Sequence, residues 1–290
     1  MRDESNLNFK NISGYNDIVY HIGNKKFSFD QAYVMGILNI TPDSFSDGGK
    51  YLDKNIALEH AEQMINDGAD IIDIGGESTR PGSETVSAED EMKRIIPVIE
   101  KIISNFPDTI ISIDTTKSAV AEEALKLGAK IVNDISGLTF DKNMIDIVSN
   151  FNSSLILMHM KGTPRDMQKN PYYEDVVKEI FDYLNVQISK ALKKGIKNIF
   201  IDPGIGFGKT IEHNFEILRR LDEFKKLGFP IVIGISRKSF LGKTLVLETE
   251  ERDTATAIAE SASVINGARI IRTHNVKNGV QVKKLLNELI

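Results

Sequence analysis

The sequence predicts a (β/α)8 TIM barrel, an α/β fold, preceded by an N-terminal β-hairpin. Three observations lead there. From Tyr33 onward, short runs rich in Ile and Val alternate with longer segments of helical period. The short runs are apolar on both faces, as strands of a parallel sheet buried between other layers should be. A glycine, then one to three residues, then a strand recurs at Gly68, Gly128, Gly195, Gly228 and Gly267, and each glycine fits the position just past a helix, where positive φ is wanted. Eight such units in about 255 residues match a barrel in count and length. An open doubly wound sheet is the alternative, because element order alone does not show closure.

In chain order, a polar lead is followed by IVYHIGNKKFSF, two alternating stretches around Gly23-Asn24 that read as a hairpin plugging one end of the barrel. Residues 1–32 are therefore taken as an N-terminal extension and 33–290 as the barrel, one domain overall, since no Pro/Ser-rich linker interrupts them. Strands are expected at Tyr33–Leu38, Ile71–Ile74, Ile110–Ile113, Ile131–Val132, Leu155–Met158, Ile199–Ile201, Ile231–Ile235 and Arg269–Ile271. Met92, Ile95, Ile96, Ile99, Ile102 and Ile103 put one apolar stripe on a helix. Ser87, with Asp90 three residues on, reads as its N-terminal cap.

Composition narrows the function. With no cysteine among 290 residues, disulfides, thiolate nucleophiles and Cys-type zinc sites are excluded, and the five His residues form no His-x-x-x-His pair. Any metal would be a hard, oxygen-liganded one. A net charge of −5 without a basic block leaves no electrostatic footprint for nucleic acid or anionic lipid, so a small-molecule partner is expected. MRDESNLNFK lacks the apolar core of a signal peptide and nothing approaches the ~18 apolar residues of a membrane span, so the expected location is cytoplasmic.

Polar residues follow the strands with a regularity that core packing does not require: Asn39, Glu77 to Arg80, Asp114, Asn133, His159, Asp202, Arg237-Lys238, and Arg272 with His274. In a parallel barrel these share one rim, the face that carries active sites. Singly, each has a plainer reading. Asp114 and Asp134 could cap the helices that follow, Asn133 could satisfy a backbone group, and Arg80 beside Pro81 could be solvated. His159, between two methionines, reads as a satisfied interior histidine rather than a ligand. GILNITPDSFSDGG, Gly36 to Gly49, reads as a strand emptying into a long loop in which the lone Phe45 is either a lid residue or a turn staple. DPGIGFGK, Asp202 to Lys209, fails both the GxGxxG and the P-loop spacing, and its glycines suit backbone approach to a flat ligand beside Asp202 and Phe207. SRKSF, Ser236 to Phe240, ends the seventh strand, where barrels often bind phosphate, and a Schiff-base role for Lys238 also stands open.

Nine ordered stretches carry a resemblance: MGILNITPDSFSDGG, GADIIDIGGESTRPGS, SIDTTK, IVNDISG, LMHMKGTPRDMQ, FIDPGIGFGKTIEHN, GISRKSFLG, ERDTATA and IIRTHNV. From Val34 to about Val276 the chain resembles the dihydropteroate synthases of the pterin-binding barrel family. The resemblance implies a transferase that joins p-aminobenzoate to a dihydropterin diphosphate and releases diphosphate with Mg²⁺ present. It implies Asp114, Asn133, Asp202 and Lys238 on the pterin, with Met158, Gly206, Phe207 and Arg272 around it. Asn39, Thr79, Arg272 and His274 would hold diphosphate, Asn39 through the metal. Phe45, Thr79, Arg80, Phe207 and Ser239 would surround p-aminobenzoate, with Asp47, Arg80 and Lys238 as catalytic groups. It also implies a homodimer, and the expectation is a single-activity enzyme.

The last stretch departs from the family's usual Arg-Val-His-Asp-Val, placing Asn275 where an acid is usual. A methyltransferase of the same barrel family has no need of Thr79-Arg80, SRKSF or RTHNV, and a catalytically silent pterin-binding paralogue has no need of the intact TPDSFSDGG and ESTRPGS loops. Those two loops, 39–49 and 76–87, are rich in Gly, Ser and Pro, so neither is expected to hold a fixed shape before the first substrate binds.

Overall fold

The computed structural model describes residues 18–41 and 50–289. Eight parallel strands close into a barrel in the order β10-β3-β4-β5-β6-β7-β8-β9. They are β3 (Tyr33–Asn39), β4 (Ile71–Gly75), β5 (Ile110–Asp114), β6 (Ile131–Asp134), β7 (Ser154–Met158), β8 (Ile199–Asp202), β9 (Ile231–Ile233) and β10 (Ala268–Thr273). The parallel pairing of β10 with β3, Ile270 opposite Tyr33 through Thr273 opposite Gly36, closes the sheet and removes the open-sheet alternative. Between and after the strands lie α1 (Lys50–Asn66), α2 (Ala88–Asn105), α3 (Ser118–Leu127), α4 (Met144–Asn150), α5 (Val176–Lys193), α6 (Ile211–Arg219), α7 (Ser239–Leu245), α8 (Asp253–Ile265) and α9 (Val276–Asn287).

Six of the eight strands begin where their apolar runs begin, β7 and β10 start one residue earlier at Ser154 and Ala268, and several extend into the residues beyond. Asn39, Gly75, Asp114, Asn133, Asp134 and Asp202 are all still strand. Ladder hydrogen bonds use the backbone, so a polar side chain facing the barrel mouth does not end the strand. β9 does the reverse, stopping at Ile233 rather than Ile235. There the chain turns, with Lys238 N donating to Ile235 O at 3.1 Å and Arg237 at φ 56°.

Helix ends follow the sequence closely. Gly68, Gly128, Gly195, Gly228 and Gly267 have φ of 97°, 123°, 83°, 79° and 109°, the left-handed region that a Cβ disfavours. Ser87 Oγ accepts from Asp90 N at 3.1 Å and starts α2, whose Ile95, Val98, Ile99 and Ile102 are buried against the barrel.

The antiparallel hairpin of β1 (Val19–Ile22) and β2 (Lys25–Ser28) covers the N-terminal end of the strands. Tyr20, Phe29 and Phe200 meet edge to face at ring separations of 5.1, 5.2 and 5.6 Å. Tyr20 OH also donates to Ile199 O at 2.9 Å, at the very start of β8. Burying each large aromatic side chain contributes about 1.5–3 kcal/mol, so the plug is a second hydrophobic closure beneath the barrel core.

Candidate active site

Register assembles the site. Asn39 lies opposite Gly75, Gly75 opposite Asp114, and Asp114 opposite Asn133, so neighbouring side chains at this level project to one side of the sheet. Gly75 leaves a gap in that row: a Cβ there would sit 3.5 Å from Asp114 Cβ and 3.7 Å from Asn39 Oδ1. Two residues lower on β4 is Asp73, fully buried and not foreseen as a site residue. Its Oδ2 accepts from Arg272 Nε at 2.6 Å and from Asn133 Nδ2 at 3.0 Å, and Arg272 Nη2 reaches Asp114 Oδ2 at 2.7 Å. A lone acid inside the apolar run IIDIGG was the available signal.

These bonds fix the functional orientation of two groups. With its amide nitrogen committed to Asp73, Asn133 presents Oδ1 as an acceptor. Asp114 does not cap α3, whose first residue follows Lys117; it belongs to the Arg272 pair. Asp134 does not cap α4 either, but accepts from Ser136 N, Ser136 Oγ and Leu138 N at 2.9, 2.7 and 2.8 Å and ties the loop after β6.

Burial dominates the electrostatics. It pushes Asp114 up to about 7, with the Arg272 charge opposing it. Asp202 is likewise raised by burial against the pull of Lys238, and its Oδ1 accepts from Gly204 N at 2.7 Å. Burial lowers Lys238 to about 8 against the pull of Asp202. Lys238 donates to Ile205 O and lies 4.6 Å over the Phe207 ring. Gly234 separates the two cations, since a Cβ there would be 3.9 Å from Arg272 Cδ and 4.0 Å from Lys238 Nζ.

The GIGFG turn is left-handed at Gly204, Gly206 and Gly208. A Cβ on Gly204 would meet His159 O at 1.9 Å, one on Gly208 would meet Lys161 O at 2.3 Å, and one on Gly206 would meet Lys238 Cδ at 3.0 Å. The close approach that requires glycine at 204 and 208 is thus to the protein's own backbone after β7. Met158 is buried where β7 faces Asp202. His159 is the interior histidine expected: buried, with Nδ1 3.1 Å from Lys209 Nζ, and burial lowers its pKa.

On the far side of the mouth, Ser236 Oγ lies 3.1 Å from the His274 backbone N–H, from which it accepts, and 3.0 Å from His274 Nδ1. The hydroxyl oxygen has a second lone pair and its own proton free for Nδ1, so the direction of that bond follows the tautomer of the neutral ring. Burial, then the charges of Arg272, Arg237, Arg80 and Lys238, lower His274 to about 3. Arg80 therefore stands near His274, on an exposed part of the rim. Thr79 is partly buried beside it. Ser239, the first residue of α7, is exposed and lines a groove of about 290 Å³ with Gly206, Gln168, Thr210 and Lys243. Phe45 and Asp47 lie outside the described residues.

The second loop differs from expectation. Residues 76–87 have a defined hydrogen-bond pattern: within the loop Val86 N donates to Glu77 Oε1 at 3.0 Å and Ser83 Oγ to Ser78 O at 2.6 Å, and outward from it Gly82 N donates to Pro164 O at 3.0 Å. Its Gly/Pro/Ser content marks turns rather than lack of shape. Asn275 caps α9 through Asn278 N at 3.1 Å and donates to Asp253 Oδ2 at 2.8 Å; Asp253 in turn holds Arg237 by two bonds of 2.7 and 3.0 Å. An amide supplies both an acceptor and a donor there, which a carboxylate beside Asp253 does not.

The profile of the pterin binding enzyme family matches residues 35–274. The chain belongs to the dihydropteroate synthase family of pterin-binding enzymes. The dihydropteroate synthase of a Synechocystis strain is 45% identical over 262 residues, 89% of this chain and 90% of that protein. The Clostridium difficile enzyme, solved in the presence of pteroic acid, superposes with a TM-score of 0.85 at 42% identity, covering 93% of this chain and 98% of that one. The Xanthomonas albilineans enzyme, solved with 4-aminobenzoic acid, does so with 0.85 at 37% identity, covering 91% and 95%. The family is one of transferases, and membership sets aside the methyltransferase and silent-paralogue readings.

Proposed function

We propose that this chain joins 6-hydroxymethyl-7,8-dihydropterin diphosphate to p-aminobenzoate, giving 7,8-dihydropteroate and diphosphate in folate biosynthesis. Support comes first from the polar groups gathered at the barrel mouth: the acceptors Asp114, Asp202 and Asn133 Oδ1 beside the cations Lys238 and Arg272, with His274 close to both cations. The amino group and ring N–H of the pterin are donors and suit the acceptors, while Lys238 donates to the ring acceptors. Met158, Gly206 and Phe207 pack around the ring. Asn39, Thr79, Arg272 and His274 take the diphosphate. The C–O bond of the exocyclic methylene breaks, its electron pair leaving with diphosphate; the aryl amine attacks the methylene carbon and sheds a proton. Thr79, Arg80, Phe207 and Ser239, joined by Phe45, hold p-aminobenzoate, and Asp47 stabilises cationic character on the pterin.

Asn39 suits Mg²⁺ on chemical grounds, as a hard amide oxygen facing the gap above Gly75, since Mg²⁺ is commonly held by one or two protein oxygens with substrate phosphates and water. When bound, the ion neutralises charge on the leaving diphosphate. A homodimer and a cytoplasmic location complete the reading. Ile258 and Ile265, seven apart on one face of α8, are 66% and 64% exposed, which supports an interface there. Among the described residues no helix is long and apolar enough to cross a membrane.

The test is incubation with the dihydropterin diphosphate, Mg²⁺ and p-aminobenzoate, following diphosphate and dihydropteroate together. Equal yields dependent on p-aminobenzoate are expected; diphosphate release indifferent to p-aminobenzoate would sink the assignment. Order of binding follows from the 39–49 loop. Calorimetry should show p-aminobenzoate binding well only after diphosphate and pterin, and equal affinity for the empty protein would mean the site is complete without them.

A further inference from the structure

Lys117, three residues past Asp114, points away from the helix it precedes and makes no cap bond there. Its ammonium sits between two carboxylates, 2.5 Å from Glu77 Oε2 and 2.6 Å from Glu91 Oε2. Neither contact is a surface pair: the Lys117, Glu77 and Glu91 side chains are 22%, 16% and 0% exposed. Glu91 Oε1, fully buried, makes no well-formed hydrogen bond, and Thr115 beside it only partly opposes the upward push of burial on this acid. A half-buried cluster with two acids to one base gains little stability, because desolvation offsets the Coulomb attraction, and apolar residues of similar volume would do as well. What the cluster supplies is geometry. Glu77 uses its other oxygen to take Val86 N, drawing the two ends of the 77–86 segment together. The start of that segment is pressed onto α2, where a Cβ on Gly76 would lie 2.8 Å from Ile95 Cγ2 and 2.9 Å from Glu91 Cγ, and Arg94 Nη1 donates to Gly76 O at 2.8 Å.

We propose that Lys117 is a positioning residue for the second substrate: held between Glu77 and Glu91, it sets the loop that carries Thr79 and Arg80 and ties it to the strand end that carries Asp114. The inference rests on the proposed roles of those residues. It makes the aryl-amine loop a part fixed during folding, so that its ordering does not draw on binding energy.

The experiment compares the full chain with Lys117→Met, Lys117→Arg, Glu77→Gln and the double variant Lys117→Met/Glu91→Leu, which removes the fully buried carboxylate together with its partner and leaves Glu77 the Val86 amide. Steady-state kinetics in both substrates are read beside calorimetry with pterin and hydrogen exchange at the Val86 amide. In Lys117→Met and the double variant, KM for p-aminobenzoate should rise about tenfold, the shift that about 1.4 kcal/mol produces. Pterin affinity and kcat should hold within about threefold, and Lys117→Arg should recover most of the loss. Val86 exchange should quicken in parallel. A folded double variant with unchanged KM and unchanged Val86 exchange overturns the proposal, as does an equal loss of pterin affinity. Should the unmodified chain show no turnover, the proposed reaction fails while the Val86 exchange still decides the clamp.

Discussion

At the N-terminal end of the strands the barrel is closed by Tyr20, Phe29 and Phe200, aromatic rings meeting edge to face, with Phe27 tilted against Tyr33, whereas at the C-terminal end Asp73, Asp114, Asp202, Lys238 and Arg272 crowd together partly desolvated. One end minimises free energy. The other holds groups whose charged forms burial disfavours, which is the environment in which pKa values move and ligands gain from electrostatic complementarity. Substitutions at the two ends should therefore separate stability from binding.

Phe29→Ala should give the largest effect, costing about 3–5 kcal/mol of stability through the cavity it leaves. Denaturant unfolding measures it, and pterin affinity per folded molecule should stay unchanged; a parallel loss of affinity would mean the ends are coupled. Asp202→Asn should do the opposite. The amide exposes a donor to ligand donors, so pterin affinity falls by about 1–3 kcal/mol or more, while the melting temperature does not fall, since a desolvated carboxylate has been removed.

Glu260 refines the comparison because it is buried on α8, outside the barrel wall and beside Thr273 at the end of β10. Neither of its oxygens has a well-formed hydrogen bond, and burial raises it from 4.5 to about 8, with Thr273 opposing. An acid whose folded pKa is raised keeps its proton in the fold after the unfolded chain has lost it. Stability from this group is thus full below pH 4.5, declines as pH rises and levels off above about 8. The scale is about 1.4 kcal/mol per unit of displacement. Glu260→Gln should flatten that decline, and an unchanged pH profile of unfolding would show that the carboxyl finds a partner. The smallest effect concerns Asp114, raised to about 7. Pterin donors require the carboxylate, so binding at pH 6.5 should release protons, visible as a buffer-dependent enthalpy; buffer independence would remove Asp114 from the donor edge.

Much of the barrel was legible because its signals are local. Apolar runs alternating with helical periods, the five post-helix glycines and the Ser87 cap each depend on a few neighbouring residues; the glycines and the cap stand where expected, and all eight strands exist with ends shifted by a few residues. The rim was legible for a different reason: the C-terminal ends of parallel strands must share one face, so Asn39, Asp114, Asn133 and Asp202 were brought together by topology. What failed was reading composition as conformation in the 76–87 loop, because the bonds that shape it come from Glu77 to Val86 and from Lys117 across to Glu77 and Glu91.

The order of elements, the helix and strand periods, the absence of thiol chemistry and the set of polar residues at the strand ends were determined by the amino-acid sequence itself, since each follows from local geometry or from composition. Closure by β10 against β3, the choice of Arg272 rather than a helix end as the partner of Asp114, the orientation that Asp73 imposes on Asn133 and the clamp around Lys117 were decided only by the tertiary structure. The residues in each of those pairs are tens to hundreds of positions apart, and only the shear and register of a closed barrel bring them within hydrogen-bonding distance.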